Sequence, residues 1–365
     1  MTSEVPHIRE LEERDLPEMT RLKFVQGDTA GQWQKRFDWQ FTNNPARPSG
    51  KPLGWVIETT EGRLEGHQMA VPQRVKILNS EQYVAFSADT YVSPVLRGHG
   101  FGSRLFETYF NAQAGSLALT STANQASEYL WLTRFGAFPI DDLNRSFIFI
   151  YRSGPLIEEV LARRGLKLFF KSASAKLGIV YDRFWLRPLP AIASSVSCDN
   201  VEPDDSSLDE IWKRYRNDYQ ILTVRDRVYR KWRYNAILCP KPSLWRVSDV
   251  KRDLSAWFSL RVIARGVTRV SVCELMDVFG PSREGEFQRS VLACATLKGQ
   301  EAGADVMEVK GLHSSWRSCL LSLGFRNRLL PSNPFLCRNM GLMNEEILKK
   351  QATWHISCAD GDAAV

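Results

Sequence analysis

The sequence predicts an α/β protein made of two copies of one unit, each a mixed, mostly antiparallel sheet flanked by helices. Three observations carry this reading. Extended apolar runs alternate with helical ones through the first half, the same order of landmarks returns in the second half, and 365 residues suffice for two units that each bury a core.

In chain order, "IRELEERDLPEMTRLKFVQ" reads as a helix with acidic residues in its early turns, and a tryptophan-rich segment ending in "WQFTNNP" follows. Strands are expected at "GWVIETT", "EGHQMAVPQRVKIL" and "YVAFSADTYVS". After a glycine-rich turn, Leu105, Phe106, Tyr109 and Phe110 recur at the spacing of one helix face within "SRLFETYFNAQAG". A strand "SLALTST", a helix "NQASEYLWLTRFG" and a closing strand "RSFIFIYR" complete the first unit, placed at residues 1–152.

The second unit, 200–340, rests on echoes that keep their order. "RKWRYN" matches "FDWQFTNNP", "SVCELMDVFGP" matches "FSADTYVSP", "FQRSVLACATLKGQEAGADVMEV" matches "SRLFETYFNAQAGSLALT", and "SCLLSLGF" matches "LWLTRFGAF". Between the units, 153–199 holds a basic amphipathic stretch, which packs across the two units or lies on a membrane surface. Residues 341–365 read as a short helix and a frayed end.

Composition sets limits. Hydrophobic residues make up 44% and charged ones 24%, and no apolar run reaches the roughly 20 residues of a membrane span. The N-terminal "MTSEVPHIREL" is charged where a signal peptide is apolar, so a cytoplasmic protein is expected. The seven cysteines include no CxxC pair and are too widely spaced for a zinc site, so no metal is expected. A formal charge of +7 suits an anionic ligand without choosing among a phosphorylated cofactor, nucleic acid and a membrane surface.

The most specific feature is "YVSPVLRGHGFGSRLF", residues 91–106. Gly98, Gly100 and Gly102 alternate after Arg97 and open a helix. Without a Cβ, successive backbone N–H groups can converge on one anion, and the helix adds its unpaired N-terminal donors. A GxxxxGK[ST] loop is absent, and a dinucleotide GxGxxG would need glycine at Ser103.

The spacing RGxGxG after V-x-P at a strand end resembles the coenzyme A loop of the GNAT family of N-acyltransferases, here in Val92, Pro94, Arg97, Gly98, Gly100 and Gly102. The downstream "NQASEYLWLTRFGAF" follows that family's order. The resemblance implies two GNAT-like domains. It also implies that the loop from Arg97 through His99 and Phe101 to Ser103 binds the pyrophosphate of acetyl-CoA or another acyl-CoA. The strand carrying Tyr91 and Val92 would bind the pantetheine arm and polarise the thioester.

The family pattern also leaves gaps. Many members carry a tyrosine four residues before the glycine of a terminal G-F pair, to protonate the leaving thiolate; counting back from Gly136 gives Leu132. Tyr129 is the nearest alternative acid, or a core aromatic. Asn124 contacts the pantetheine amide or caps its helix. Freeing the amine needs a general base, and Asp89 is the best placed carboxylate; its other reading is a hydrogen-bonded strand residue. Glu58 and His67 are weaker candidates, and Glu107 reads as surface. The second unit has Gly285 alone in "GPSREGEFQRS" and is expected to bind no pyrophosphate in this way.

The resemblance therefore implies an acyl-CoA-dependent N-acyltransferase, most simply an acetyltransferase. Its expected acceptor is a primary amine of a small molecule such as an amino sugar or amino acid, with no nucleic acid partner. The alternatives are a Fem-type transferase, which takes an amino acid from aminoacyl-tRNA, and a non-catalytic acyl-CoA-binding scaffold.

Overall fold

Proline has no N–H to lose in the first turn of a helix, and Pro17 sits there: the helix expected from Ile8 begins at Leu16 instead. His7–Glu10 form a strand, whose ladder with Gly54–Glu58 satisfies their backbone groups. The computed structural model describes residues 6–27, 30–165, 176–180, 182–183, 188–234, 240–329, 334–350 and 353–361.

The first half runs β1 (His7–Glu10), α1 (Leu16–Val25), α2 (Ala30–Phe37), β2 (Gly54–Glu58), β3 (Leu64–Ile77), β4 (Ser80–Val92), α3 (Phe101–Ala112), β5 (Leu117–Thr120), α4 (Gln125–Tyr129), β6 (Phe138–Pro139), β7 (Arg145–Ile150) and α5 (Gly154–Arg163). The second runs β8 (Val196–Asn200), α6 (Ser206–Tyr215), β9 (Ile221–Thr223), α7 (Arg227–Tyr234), β10 (Ser243–Asp249), β11 (Leu254–Arg265), β12 (Val270–Phe279), α8 (Gly285–Glu301), β13 (Val306–Lys310), α9 (Ser314–Ser322), β14 (Arg326–Leu329), β15 (Leu336–Asn339), α10 (Glu345–Lys349) and β16 (Trp354–His355).

These strands form two mixed, mostly antiparallel sheets. The first has the order β1-β2-β3-β4-β5-β15-β6, with β9 on β3 and β16 on β9; the second has the order β8-β10-β11-β12-β13-β7-β14. The halves repeat each other strand for strand except at one place. The closing strand expected for the first unit, β7, lies in the second sheet between β13 and β14, and β15 lies in the first between β5 and β6. Sequence order hides this exchange, because RSFIFI has the same apolar alternation whichever sheet receives it.

The repeat is also an approximate two-fold axis. Trp39, on a π-helical turn after α2, stacks on Trp232 of α7 with centroids 4.9 Å apart. Each indole donates to the other's backbone carbonyl, at 3.0 and 2.7 Å, the self-complementary contact of a symmetric interface. Packed aliphatic and aromatic side chains cover both faces of the first sheet, Met69, Phe86 and Leu119 on one and Trp55, Tyr109 and Trp131 on the other.

Among the described residues, the linker helix α5 packs on the second sheet. Its Leu156 joins Val270, Val272 and Val306 on the second sheet, and Glu159 accepts hydrogen bonds from the Val267 and Thr268 backbone. The frayed end expected after α10 is a correction: residues 353–361 are buried.

Candidate active site

In the first sheet β4 and β5 run parallel but pair only at Ala85 with Ala118 and Phe86 with Leu119, and then part. A bulge bends β4 where they separate. His67 opposes Tyr91 and Met69 opposes Ala88, so Asp89 and Thr90 together face Gln68. Asp89 has φ 56°, a left-handed conformation that aspartate and asparagine tolerate better than most residues. The buried Gln68 amide staples the bulge: it donates to the Met69 carbonyl at 2.8 Å and to Ser87 Oγ at 2.9 Å, and accepts from Thr90 Oγ1.

The split opens on a cavity of about 270 Å³. Its walls are polar, with Asp89, Thr90, Thr120, Thr122 and Asn124 from the strands and α4 side and Arg36 and Gln40 from α2 and its π-helical extension. Phe106 and Trp131, both buried, also line it.

The glycine turn lies at the far end of β4. Gly98 and Gly100 have φ 81° and 79°, which an L side chain rarely adopts, and Gly100 is the N-cap of α3. Arg97 and His99 give their N–H groups to the Pro94 and Leu96 carbonyls, whereas no side chain caps α3. The α3 N-terminus thus offers first-turn donors and its positive dipole end. Arg97 Nε donates to the Val92 carbonyl at 3.1 Å, and His99 Nδ1 lies 3.0 Å from the Arg97 carbonyl.

Charge in the cavity is centred on Asp89. Lys23 from α1, 1% exposed, is ion-paired to its carboxylate, with Arg36 Nη2 3.9 Å and His67 Nε2 4.0 Å away. Burial pushes the Asp89 carboxyl up, but His67 and then Lys23 reverse this and hold it well below the usual carboxylate range. Burial pushes the His67 imidazole down, and Asp89 offsets only part of that. His67 is fully buried behind the cavity and stacks on Tyr91 at 5.8 Å.

The structure therefore gathers Asp89, Asn124 and the strand carrying Tyr91 and Val92 around one split, with the turn from Arg97 to Ser103 at its end. Asn124 caps α4 by accepting from the Ser127 N–H at 3.0 Å while lining the cavity. The Phe101 side chain is buried in the core. Tyr129 is 65% exposed and is not part of the cavity wall. Glu58 pairs with Arg9 at 2.6 Å on the β1–β2 edge, and Glu107 with Arg134 at 2.6 Å on the surface. Sequence reasoning missed Lys23, Arg36, Gln40 and Gln68; the only signal was Lys23 and Arg36 on helical segments among apolar residues. Among the described residues no cluster of His, Cys, Asp and Glu could hold a metal.

The second sheet has the same split, and the chain's own end fills it. β12 and β13 pair as far as Leu275 with Val309; beyond, Leu312 N–H donates to the Ile356 carbonyl at 2.5 Å and Ala359 N–H to the Met276 carbonyl at 2.8 Å. A Cβ on Gly311 would lie 2.5 Å from the Ile356 carbonyl, so only glycine admits the segment. Arg225 bridges Asp277, the echo of Asp89, and Asp360 of this segment at 2.7 and 2.9 Å, all three fully or almost fully buried.

A split mixed sheet with a glycine turn leading from the long strand into a helix is the GNAT fold; the second unit repeats the split sheet without that turn. Solved structures agree at the level of fold. A probable N-acyltransferase from Enterococcus faecalis V583 matches with TM-score 0.58 and 11% identity over 93% of this chain and 74% of that one. Saccharomyces cerevisiae N-myristoyltransferase with bound myristoyl-CoA matches with TM-score 0.55 and 11% identity over 92% and 77%. A GCN5-related N-acetyltransferase from Anabaena variabilis matches with TM-score 0.57 and 10% identity over 92% and 73%. No protein-family model matches the chain, and no curated protein matches it by sequence.

Proposed function

We propose that the protein is an acyl-CoA-dependent N-acyltransferase with one working site, the β4–β5 split of the first unit, and that it transfers a short acyl group, most simply acetyl, to a small amine. The parting of β4 and β5 beside the glycine turn is the observation that supports this most directly. The turn's amides suit a pyrophosphate, the free edge of β4 suits the amides of a pantetheine arm, and the cavity beyond suits a polar acceptor.

Asp89 is the acceptor's anchor in this reading. Held ionised by His67 and Lys23, it is too weak a base to strip an ammonium directly but well suited to attract one, leaving the proton to water. The amine nitrogen then bonds to the thioester carbon as the carbon–sulfur bond breaks. The absent tyrosine is tolerable because an alkyl thiol, with a pKa of about 8.5, leaves readily as thiolate near neutral pH. Phe106 and Trp131 are bulky side chains in a mostly polar cavity wall, a lining better suited to a short acyl group than to a myristoyl chain.

Calorimetric titration of acetyl-CoA, myristoyl-CoA and free CoA tests the reading. Gly102 lies inside α3 with only Val92 Cγ2 near its Cβ position, at 3.9 Å, so Gly102→Glu should fold while placing a carboxylate at the anion site. Micromolar binding of acetyl-CoA and CoA, lost in Gly102→Glu, is expected. No binding to the wild type would sink the proposal.

A further inference from the structure

We infer that Cys198 and Cys294 are a redox-responsive thiol pair: a hydroperoxide oxidises Cys198, and Cys294 then closes a disulfide that fastens the edge strand β8 to α8. The inference does not depend on the acyl-CoA reading. β8 pairs antiparallel with β10, and Cys198 stands opposite Val247. Val247 is fully buried in the second unit's core, on the sheet face that α8 covers. Cross-strand neighbours share a face, so Cys198 packs against the same core. Cys294 lies on α8, with Lys298 one turn further on, and the two thiols are hydrogen-bonded to each other. Lys298 Nζ sits 4.8 Å over the ring of Trp245, two residues before Val247 on β10 and therefore on the same face.

Access and acidity both select Cys198. Of the cysteines among the described residues it alone is only partly buried. The hydrogen bond from Cys294 lowers the Cys198 thiol's pKa more than burial raises it, and Lys298 adds to the lowering while Asp199 and Glu301 oppose it. Burial pushes the thiols of Cys273, Cys319, Cys337 and Cys358 up, so they hold little of the reactive thiolate. The contact that acidifies Cys198 raises Cys294, which stays protonated beside it. In the first step the Cys198 thiolate takes one peroxide oxygen, the O–O bond breaks, and hydroxide leaves from hydrogen peroxide. Cys294 sulfur then attacks the sulfenic sulfur, and its proton departs with that oxygen as water. The pair loses two electrons and the peroxide gains them.

Titrating the full chain with hydrogen peroxide, blocking the remaining thiols with iodoacetamide and mapping the peptides by mass spectrometry tests the inference. A Cys198–Cys294 disulfide that dithiothreitol reopens is expected, formed before any other cysteine is modified. Cys294→Ala should instead leave Cys198 as a sulfenic acid that dimedone traps. Cys198→Ser should slow the loss of the Cys294 thiol about 10-fold or more, because the buried partner has no thiolate of its own to start the reaction. The wild-type map decides the matter even if a variant fails to fold. The inference is overturned if Cys198 reacts no faster than the buried thiols, or if it bonds to another cysteine or a second copy in place of Cys294. Passage of Cys198 to sulfinic acid in the wild type and Cys294→Ala alike would also overturn it.

Discussion

At the scale of single residues, Asp89 combines a strained backbone, a buried cation and a cavity wall. Asparagine at this position would keep the left-handed conformation, so Asp89→Asn isolates the charge. If the carboxylate anchors an ammonium, kcat/KM should fall about 10- to 100-fold, the worth of a charge-assisted hydrogen bond, with the loss mainly in the acceptor's KM. Acetyl-CoA affinity should stay within a few-fold of wild type. The same change leaves Lys23 buried without its anion, so a melting-temperature loss should accompany it. A variant with unchanged kinetics would remove Asp89 from the site. Asp89 was legible in the sequence because it shares a strand with the glycine turn. Lys23, Arg36 and Gln68 were not, because their roles come from packing that brings other elements to the bulge, and a buried lysine looks the same in sequence as a solvated one.

At the scale of elements, the first split is a cavity and the second is filled, and one histidine reports on the filling. His355 on β16 accepts from the His313 N–H through Nδ1 at 3.3 Å, and its Nε2 donates to the Val278 carbonyl at 2.8 Å. Only the neutral ring does both. Burial pushes the imidazole well below its usual pKa, with Arg225 and His313 adding to the effect. A group lowered on folding contributes its stability fully above the unfolded value, about 6.5, and loses it as pH falls toward the folded value. His67 is lowered in the same direction. Between pH 7 and pH 5.5 unfolding free energy should therefore fall by up to about 1.4 kcal/mol per pH unit for each histidine, below 6.5. His355→Gln should lessen that slope in urea titrations; an identical slope would show that the plug stays closed for other reasons. That Gly285 stands alone where the first unit has three alternating glycines was legible in the sequence. The plug itself was illegible, because "TWHISCADG" has the polarity of a tail and becomes core only where Gly311 and Arg225 receive it.

At the scale of the whole molecule, the exchange of β7 and β15 decides whether the two units can exist apart. Internal echoes made them look like independent domains with a boundary near residue 152. Cutting there leaves β7, with Phe147 and Phe149 each 3% exposed in the intact chain, attached to the sheet that does not use it. Each of those side chains loses roughly 1.5–3 kcal/mol of burial, and the first sheet loses the strand that joins β5 to β6. β5 and β3 each lose a partner, and β6 and β7 lose all of theirs, leaving unpaired backbone that is a template for aggregation. Residues 1–152 expressed alone should therefore be insoluble, or bind no acetyl-CoA despite containing every residue of the proposed site. Coexpressed with residues 153–365, they should form a soluble complex that binds acetyl-CoA with near wild-type affinity, because the cut falls between β7 and α5 and removes no ladder hydrogen bond. A folded, acetyl-CoA-binding fragment 1–152 would mean that the first sheet closes without β15. Failure of both fragments and complex would instead place the essential coupling in the covalent linker, where α5 is anchored to the second sheet through Glu159.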